Sequence, residues 1–142
     1  MEEVIFPLNG VLKTIGDSAF FESNLESITI PASVETIGEY AFNHDGYAET
    51  QKIKTLIFEE NSNLKNIGKC AFRRNSLVSV IIPSLVTTIG ERAFESQKDS
   101  EGNATLQSVI VKRSKEDFLA NVTVEDNWFD KSLVTEPTYD PS

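Results

Sequence analysis

The sequence predicts an α/β-type solenoid with a short parallel sheet on one face, mostly irregular coils on the other side and a C-terminal cap. Two repeated patterns carry this prediction. Between copies of a shorter motif, Leu-x-x-Ile-x-Ile-Pro at 25–31 returns as Leu-x-x-Val-x-Ile-Pro at 77–83. An internal period of about 20 to 50 residues is the signature of a stacked repeat array. The shorter motif, Ile-Gly-x-x-Ala-Phe, occurs four times, at 15–20, 37–42, 67–72 and 89–94.

The Leu-x-x-Ile-x-Ile stretches are expected to be strands. Their apolar residues alternate, which is the pattern of a short strand with one buried face. Pro31 and Pro83 should end two of these strands, because proline cannot donate a hydrogen bond to a ladder. One strand per coil gives a parallel sheet whose neighbouring strands lie about 4.8 Å apart. Five strands are expected, near residues 4–6, 26–30, 54–58, 78–82 and 107–111.

The Ile-Gly-x-x-Ala-Phe motif is expected to be structural rather than catalytic. Its glycine should lie either at a positive φ or where the next coil approaches closely, and the small alanine indicates the same crowding. A unit of this size cannot bury its own apolar side, whereas stacked neighbours can. The motif phenylalanines should therefore stack along the interior: Phe20, Phe42, Phe72 and Phe94.

Insertions separate some of the units. Successive motifs begin 22, 30 and 22 residues apart, and the extra residues fall between the apolar anchors. They lie in NHDGYAETQK (43–52) and FEENSNL (58–64), and a later expansion before Leu106 contains KDSEGN. Surface loops tolerate such insertions, so these segments are expected to be loops outside the repeat core.

The repeat pattern stops after Val111. Ser114 followed by Asp117 forms a weak capping box, which predicts a short helix with Phe118, Leu119 and Val122 on its apolar side. Four large apolar residues follow it: Trp128, Phe129, Leu133 and Val134. An open solenoid needs its last coil covered. The predicted organisation is a solenoid of about four to five repeats over 1–112, a cap over 113–135 and a disordered tail or linker over 136–142.

Composition and charge exclude several classes of protein. With 39% hydrophobic and 25% charged residues, the chain is globular rather than disordered. No apolar run reaches the roughly 18 residues that cross a bilayer. The net charge of −9 would repel a phosphate backbone, so nucleic-acid binding is not expected. Cys70 is the only cysteine, which excludes an internal disulfide and a zinc site with several cysteine ligands.

The first ten residues, MEEVIFPLNG, lack the apolar core of a secretory signal peptide. The repeat pattern is already under way there, so we expect a fragment of a longer protein with an added methionine. In such a fragment, a missing signal says nothing about export.

The full unit, L-x-x-I-x-I-P-x-x-V-x-x-I-G-x-x-A-F, resembles the leucine-rich repeats of the BspA-like (bacterial surface protein A) class. The resemblance covers about residues 4–112, and four copies of the motif make it specific. It implies a horseshoe-like solenoid, usually part of a secreted or surface-anchored bacterial protein, with a role in adhesion or protein binding rather than catalysis. The common leucine-rich repeat has an asparagine after its strand. Pro31 and Pro83 occupy that region here, so an asparagine ladder is not carried over.

The outward strand positions are the candidate ligand-binding site. If Ile28 and Ile30 point inward, their neighbours point outward on the concave sheet. Core burial does not explain apolar residues in register on an exposed sheet. They are either good strand formers that pack against one another, or a docking stripe for a protein partner or a neighbouring domain. One outward column is Ser27, Thr55, Ser79 and Ser108, and the other is Thr29, Ile57, Ile81 and Ile110, with Ile5 before them.

Two other kinds of site have weaker support. His44 and Cys70 could form a nucleophile–base pair, but no orienting third group or oxyanion motif accompanies them. The acidic loops Glu59-Glu60-Asn61 and 99–103 offer oxygen ligands to calcium. Neither loop has the spacing of a calcium-binding loop, and solvated loops are the favoured interpretation.

These observations favour a non-enzymatic protein-binding or adhesion module that presents its concave sheet to a host or surface protein, on a bacterial cell surface. No cofactor, metal, nucleic acid or direct membrane insertion is expected. The alternative is a structural spacer or stalk segment of a larger surface protein, without a ligand of its own. The outward isoleucines distinguish the two, because a spacer gains nothing from exposing them.

Overall fold

A computed structural model describes residues 4–7, 10–44 and 52–142. Short strands dominate this part of the chain, and a helix follows the last repeat. In chain order the elements are β1 (Thr14–Ile15), β2 (Ser27–Ile30), β3 (Thr36–Ile37), β4 (Thr55–Phe58), β5 (Asn66–Ile67), β6 (Ser79–Ile82), β7 (Thr88–Ile89), β8 (Ser108–Val111), α1 (Lys115–Asn121), β9 (Thr123–Val124) and β10 (Thr138–Tyr139).

The named strands pair in parallel, each with the corresponding strand of the next coil. The four-residue strands form the pairs β2-β4 and β6-β8, and β10 adds to the free side of β8. β4 lies in contact with β6 but forms no ladder with it, so the longer strands make two adjacent sheets where the sequence predicts one. The two-residue strands form a five-stranded sheet in the order β1-β3-β5-β7-β9. Buried side chains from both sets of strands meet in one hydrophobic core.

Four of the five predicted strands are confirmed to within one residue at each end: β2, β4, β6 and β8. The strand expected at 4–6 is wrong. The backbone of residues 4–7 forms no ladder with β2, and Val4–Phe6 and Ser27–Thr29 both line a cavity of about 240 Å³. Phe6 instead attaches the segment through an edge-on contact with Phe20, whose ring centroid is 5.9 Å away.

The five-stranded sheet was not predicted from the sequence. Each of its strands contributes only two residues, placed directly before the glycine position of the motif. The alternation of buried and exposed residues that identifies a strand cannot be recognised over two positions. The isoleucines of these strands are nevertheless core residues, as the repeat pattern indicated: Ile15, Ile37, Ile67 and Ile89.

The motif coils have a regular hydrogen-bond pattern of their own. In the first motif, the N–H groups of Ser18, Phe20 and Glu22 donate to carbonyls of the next coil at 2.8, 2.7 and 2.9 Å. The N–H groups between them donate three residues back within the same coil. A left-handed residue at the second variable position of the motif allows this alternation. The residues at that position have φ between 55° and 57°: Ser18, Tyr40, Cys70 and Arg92.

The motif glycine was expected either because of a positive φ or because a neighbouring coil approaches closely, and Gly38 distinguishes the two reasons. A Cβ atom there would lie 2.6 Å from the amide nitrogen of Asp17 and 2.8 Å from the carbonyl carbon of Gly16. Gly68 and Gly90 face the preceding coil in the same way. The left-handed residue comes two positions later. Close approach of the adjacent coil therefore explains the glycine.

The motif phenylalanines stack as predicted. The ring centroids of Phe20 and Phe42, of Phe42 and Phe72, and of Phe72 and Phe94 lie 5.2, 5.1 and 5.3 Å apart, with nearly parallel planes. Phe20, at the N-terminal end of this column, is only partly buried, whereas the other three are buried. Trp128 contacts the other end of the column edge-on, 6.5 Å from Phe94.

The helix predicted after the last repeat is confirmed as α1. Ser114 is its N-cap, and the Ser114 hydroxyl accepts the N–H of Asp117 at 3.2 Å. Phe118 is buried, but Leu119 is 68% exposed, because adjacent helical positions point about 100° apart. Of the apolar residues that follow, Leu133 is also exposed. In the described part of the chain, no helix has the length and apolar character needed to cross a membrane.

Residues 123–129 repeat the motif geometry in an altered form. β9 pairs with β7, so that Thr123 lies beside Thr88 and Val124 beside Ile89. The N–H of Phe94 donates to the carbonyl of Trp128 at 2.8 Å, just as the N–H of the preceding motif phenylalanine donates to the next motif alanine at 2.7 Å. Trp128 therefore stands at the alanine position of the motif. By the same count, residue 125, a glutamate, stands at the glycine position.

The expectation that residues 136–142 form a disordered tail or linker differs from the structure. β10 pairs with β8, and the ring of Tyr139 packs 5.6 Å from that of Phe118. Lys115 Nζ lies 2.6 Å from Glu136 Oε1. The prolines and the lack of aliphatic residues in this segment indicated disorder. The segment is ordered because the open edge of β8 provides hydrogen-bond partners for its backbone.

Candidate functional site

The outward strand positions form an exposed surface, here called the strand face. The register is the one that the alternation predicts, with Thr29 beside Ile57 and Ile81 beside Ile110. Ile57 and Ile81 are 51% and 48% exposed, and Ile110 is half-buried. The strand face consists of Ser27, Thr29, Thr55, Ile57, Ser79, Ile81, Ser108 and Ile110.

Hydroxyl groups run beside the isoleucines. Ser27 lies beside Thr55, and Ser79 lies beside Ser108. The hydroxyl oxygens of Ser79 and Ser108 are 3.0 Å apart and share a hydrogen bond. The strand face thus combines an apolar column with a column of groups that can both donate and accept hydrogen bonds.

A cavity of about 590 Å³ opens where β4, β6 and β8 end. Ligand pockets in proteins commonly have volumes of about 300–1,000 Å³. The apolar residues that line the cavity are Phe58, Ile81, Pro83, Ile110 and Pro141, and its charged residues are Glu59, Glu60, Lys112 and Asp140. Because Ile81 and Ile110 belong to both, the strand face leads directly into this cavity.

The two walls of the cavity differ in their electrostatics. On one wall, Lys112 Nζ lies 2.8 Å from Asp140 Oδ2. Hydrogen bonds from Lys112 and then from Ser142 lower the pKa of Asp140 to about 2, so this ion pair is complete at neutral pH. On the other wall, Glu59 Oε1 accepts the N–H of Ala32 at 2.9 Å.

The outward face of the five-stranded sheet offers a comparison within the molecule. Its side chains hydrogen-bond along the column: Thr88 Oγ1 donates to Asn66 Oδ1 at 2.7 Å, and Asn66 Nδ2 donates to Thr36 Oγ1 at 3.4 Å. Three neighbouring side chains of this face thus hydrogen-bond to one another, whereas the strand face exposes isoleucine. The outward residues of the five strands are all polar: Thr14, Thr36, Asn66, Thr88 and Thr123.

Cys70 and His44 do not have the environment of a catalytic pair. Burial raises the pKa of the Cys70 thiol, whereas a nucleophilic cysteine needs a lowered pKa. His44 is buried as well, and its backbone N–H donates to the carbonyl of Arg73 at 3.0 Å. The insertion that was expected to be a loop outside the core therefore begins with core residues, and its residues 45–51 lie outside the described ranges.

Asp99 organises the 99–103 loop through hydrogen bonds. Its Oδ1 accepts the N–H groups of Glu101 and Asn103, both at 2.9 Å. The pKa of Asp99 is lowered, chiefly by the N–H of Asn103. Across residues 4–7, 10–44 and 52–142, no three His, Cys, Asp or Glu side chains are grouped so that they could hold a metal ion.

Two buried amides hold successive coils together, and neither was predicted from the sequence. Asn75 Nδ2 donates to the carbonyls of Phe42 and Phe72, at 2.8 and 3.1 Å. Gln97 Nε2 repeats this one coil later, with the carbonyls of Phe72 and Phe94 at 2.9 and 3.0 Å. Both amides lie three residues after a motif phenylalanine. That shared spacing is the sequence signal from which the two buried amides could have been identified.

Comparison with known proteins identifies the repeat. A family model of the BspA-type leucine-rich repeat region, with six copies, matches residues 1–101, which is well over half of the chain. No curated protein and no solved structure matches the chain significantly. Leucine-rich repeats usually mediate protein–protein interaction and are generally non-enzymatic, and BspA-like repeats are typical of bacterial surface proteins. Together with the parallel strands that recur once per coil, the match shows that the chain belongs to the BspA-type leucine-rich repeat family.

Proposed function

We propose that the chain is a non-enzymatic adhesion module that presents the strand face, as the concave sheet of the solenoid, to a protein ligand at a bacterial cell surface. The observation that carries this proposal is isoleucine at the third position of three successive longer strands: Ile57, Ile81 and Ile110, of which Ile81 and Ile110 are paired in register. A solvated sheet face favours polar residues, because its outward side chains do not pack in the core. Exposed aliphatic side chains in register supply apolar area to a partner.

The contrast between the two outward faces supports binding over strand preference. If isoleucine were present only for its β propensity, both faces would be expected to carry it. Threonine is β-branched too, and it fills four of the five outward positions of the other sheet. Threonine thus offers the same preference for a strand with a polar side chain, yet isoleucine occupies these three positions of the strand face.

A structural spacer is the second candidate. The stacked phenylalanines and the buried amides bind each coil to the next, as a stiff stalk requires. The function of a spacer does not depend on which residue types occupy its outward strand positions. The two functions therefore predict different effects of replacing the isoleucines.

The test is capture of proteins from host extracellular matrix and serum by the immobilised chain, with quantitative mass spectrometry of the retained proteins. The test variant is Ile57→Thr/Ile81→Thr, which keeps two β-branched residues and removes their apolar ends. Val11→Thr/Val124→Thr is the matched control, because these valines are 67% and 39% exposed outside the strand face.

We expect the test variant to keep the melting temperature of the parent and to bind its captured ligand about 30-fold more weakly, as for a hot spot worth about 2 kcal/mol. The control should bind like the parent. If the test variant folds and binds every captured protein as tightly as the parent does, the isoleucine column is not the site and the spacer is the better assignment.

A further inference from the structure

Building on the proposed function, we propose that the strand face selects a ligand segment with a lysine or arginine beside an aliphatic residue. The cationic group enters the cavity at the ends of β4, β6 and β8 and lies against Glu59 and Glu60. The aliphatic residue packs on Ile81 and Ile110. The recognised element is thus an extended aliphatic–cationic stretch of a protein.

The shape of the cavity accounts for the aliphatic part. Ile81, about half exposed, and Ile110, half-buried, lie side by side on adjacent strands and line the cavity. Phe58 and Pro83 add further apolar surface. Lysine and arginine have apolar stems that pack along such surfaces while their charged ends reach a polar rim. A single lysine or arginine side chain of the ligand can therefore contact both the apolar surface and the charged rim of the cavity.

The charge of the cavity accounts for the cation. Its lysine, Lys112, is paired with Asp140 at 2.8 Å, so these two charges compensate each other. Glu59 and Glu60 then remain as uncompensated charges, and no cation of the described residues lies within ion-pair distance of either. The net charge of −9 adds to the attraction for a positive segment.

Glu59 is positioned before a ligand arrives. Its Oε1 accepts the N–H of Ala32 at 2.9 Å, which fixes the carboxylate and leaves Oε2 for a second donor. Glu59 also lines the 240 Å³ cavity beside Val4–Phe6 and β2, so it stands between the two cavities of the strand face. A prepositioned carboxylate loses little side-chain entropy when it pairs with a ligand.

The same features count against an anionic ligand. A carboxylate or phosphate entering the cavity would meet two glutamates and would have to displace Asp140 from Lys112. Like charges brought together in an interface are unfavourable. The cavity therefore discriminates by charge sign as well as by apolar contact.

The experiment uses the whole chain, labelled with ¹⁵N, and two capped peptides, acetyl-Thr-Val-Arg-Val-Thr-amide and its citrulline counterpart. Citrulline has the shape of arginine without its charge. Amide shifts are followed during titration with each peptide at low and at moderate salt. The test variant is Glu59→Gln/Glu60→Gln, and Glu101→Gln is the control because this exposed carboxylate lies on another loop.

We expect the arginine peptide to shift the amides of Glu59, Glu60, Ile81 and Ile110, and to bind about fivefold more tightly than the citrulline peptide. Added salt and the double glutamine variant should remove this difference, and the control should keep it. If both peptides bind equally at these residues, the strand face binds ligands without selecting a cation, so this inference fails while the proposed function stands. If the arginine peptide shifts none of these amides, the assigned ligand class is also wrong. The capture experiment with the isoleucine variants then decides the proposed function separately.

Discussion

At the scale of single residues, Gly38 and Gly16 occupy the same motif position in different surroundings. The adjacent coil lies directly against Gly38, whereas among the described residues no atom would lie within 4 Å of a Cβ at Gly16. We expect Gly38→Ala to lower the free energy of unfolding by about 1–3 kcal/mol, as for overpacking of a filled site. Gly16→Ala should change it by no more than about 0.5 kcal/mol. Urea denaturation of both variants measures the difference.

Equal losses in the two variants would contradict this explanation, because a purely local effect of alanine on the backbone acts on both positions alike. The comparison is informative because the residue change is identical and only the neighbouring coil differs. Gly68→Ala should behave like Gly38→Ala, since its Cβ would lie 2.6 Å from the carbonyl carbon of Gly38.

The outward and inward side chains of the longer strands could be predicted residue by residue, because alternation alone assigns them. Ile28 and Ile30 are buried and Thr29 is exposed, as the pattern indicated. The left-handed residues could not be predicted. Tyr40 and Cys70 adopt φ of 56° and 55°, although neither residue type favours that region. Hydrogen bonds to the next coil impose this conformation, and a local sequence does not reveal them.

At the scale of elements, β10 is attached by an ion pair whose pH dependence can be stated. The pKa of Asp140 is lowered to about 2, chiefly by the hydrogen bond from Lys112. A carboxylate with a lowered folded-state pKa stabilises the fold above its unfolded pKa of about 3.9, and this contribution is lost as the pH falls through about 2. We expect β10 to stay attached at pH 4 and to loosen near pH 2.

The measurement is an NMR titration of the Asp140 side-chain carboxyl carbon in the parent and in Lys112→Gln. In the variant the pKa should rise towards its ordinary value, because the main hydrogen-bond donor is gone. Lys131→Gln, an exposed lysine elsewhere, should leave the titration unchanged. A parent midpoint close to 3.9 would show that the pair with Lys112 does not hold the carboxylate.

We also propose that segment 113–135 acts as the C-terminal cap. Trp128 is buried against Phe94, Phe118 and Phe129. Trp128→Ala should cost about 3–5 kcal/mol of unfolding free energy, and Leu133→Ala, at an exposed position of the same segment, should cost far less. Trp128 is the only tryptophan, so blue-shifted emission that acrylamide quenches poorly reports its burial directly.

Cutting the chain after Lys112 tests the cap as a unit. This truncation removes β9 from β7 and β10 from β8, and it uncovers two strand edges. Open edges pair with other chains, so we expect the fragment 1–112 to aggregate. A soluble fragment with the stability of the whole chain would show that the segment does not cap the solenoid.

Among the elements, the strands that have four residues were predictable and those that have two were not. The helix was predictable because its capping signal, Ser114 and Asp117, is local. β10 was missed because a segment with two prolines becomes ordered only through the edge of β8, which is distant in the sequence. The cavity lined in part by the residues that follow β10 was missed for the same reason, although its isoleucines were identified.

At the scale of the whole molecule, each coil is bound mainly to its two neighbours, through stacked rings, parallel strands and buried amides. The stability of such an array is approximately a sum of unit and nearest-neighbour contributions. The two ends are not equivalent, because a tryptophan and a glutamate replace the small motif residues in the last coil. The motif glycine faces the preceding coil, so in the last coil a glutamate stands at the position where Gly38, Gly68 and Gly90 allow that close approach.

The constant spacing of the stacked phenylalanines means that insertions in the loops and substitutions on the strand face can occur independently of each other. The ring distance across the 30-residue unit is 5.1 Å, against 5.2 and 5.3 Å across the 22-residue units. Eight additional residues therefore leave the distance between coils unaltered. Insertions and deletions can change the length and composition of the loops while Ile57 and Ile81 keep their positions. A lineage of such proteins can diversify its loops by insertion without disturbing recognition, and can change recognition by point substitution without disturbing the spacing.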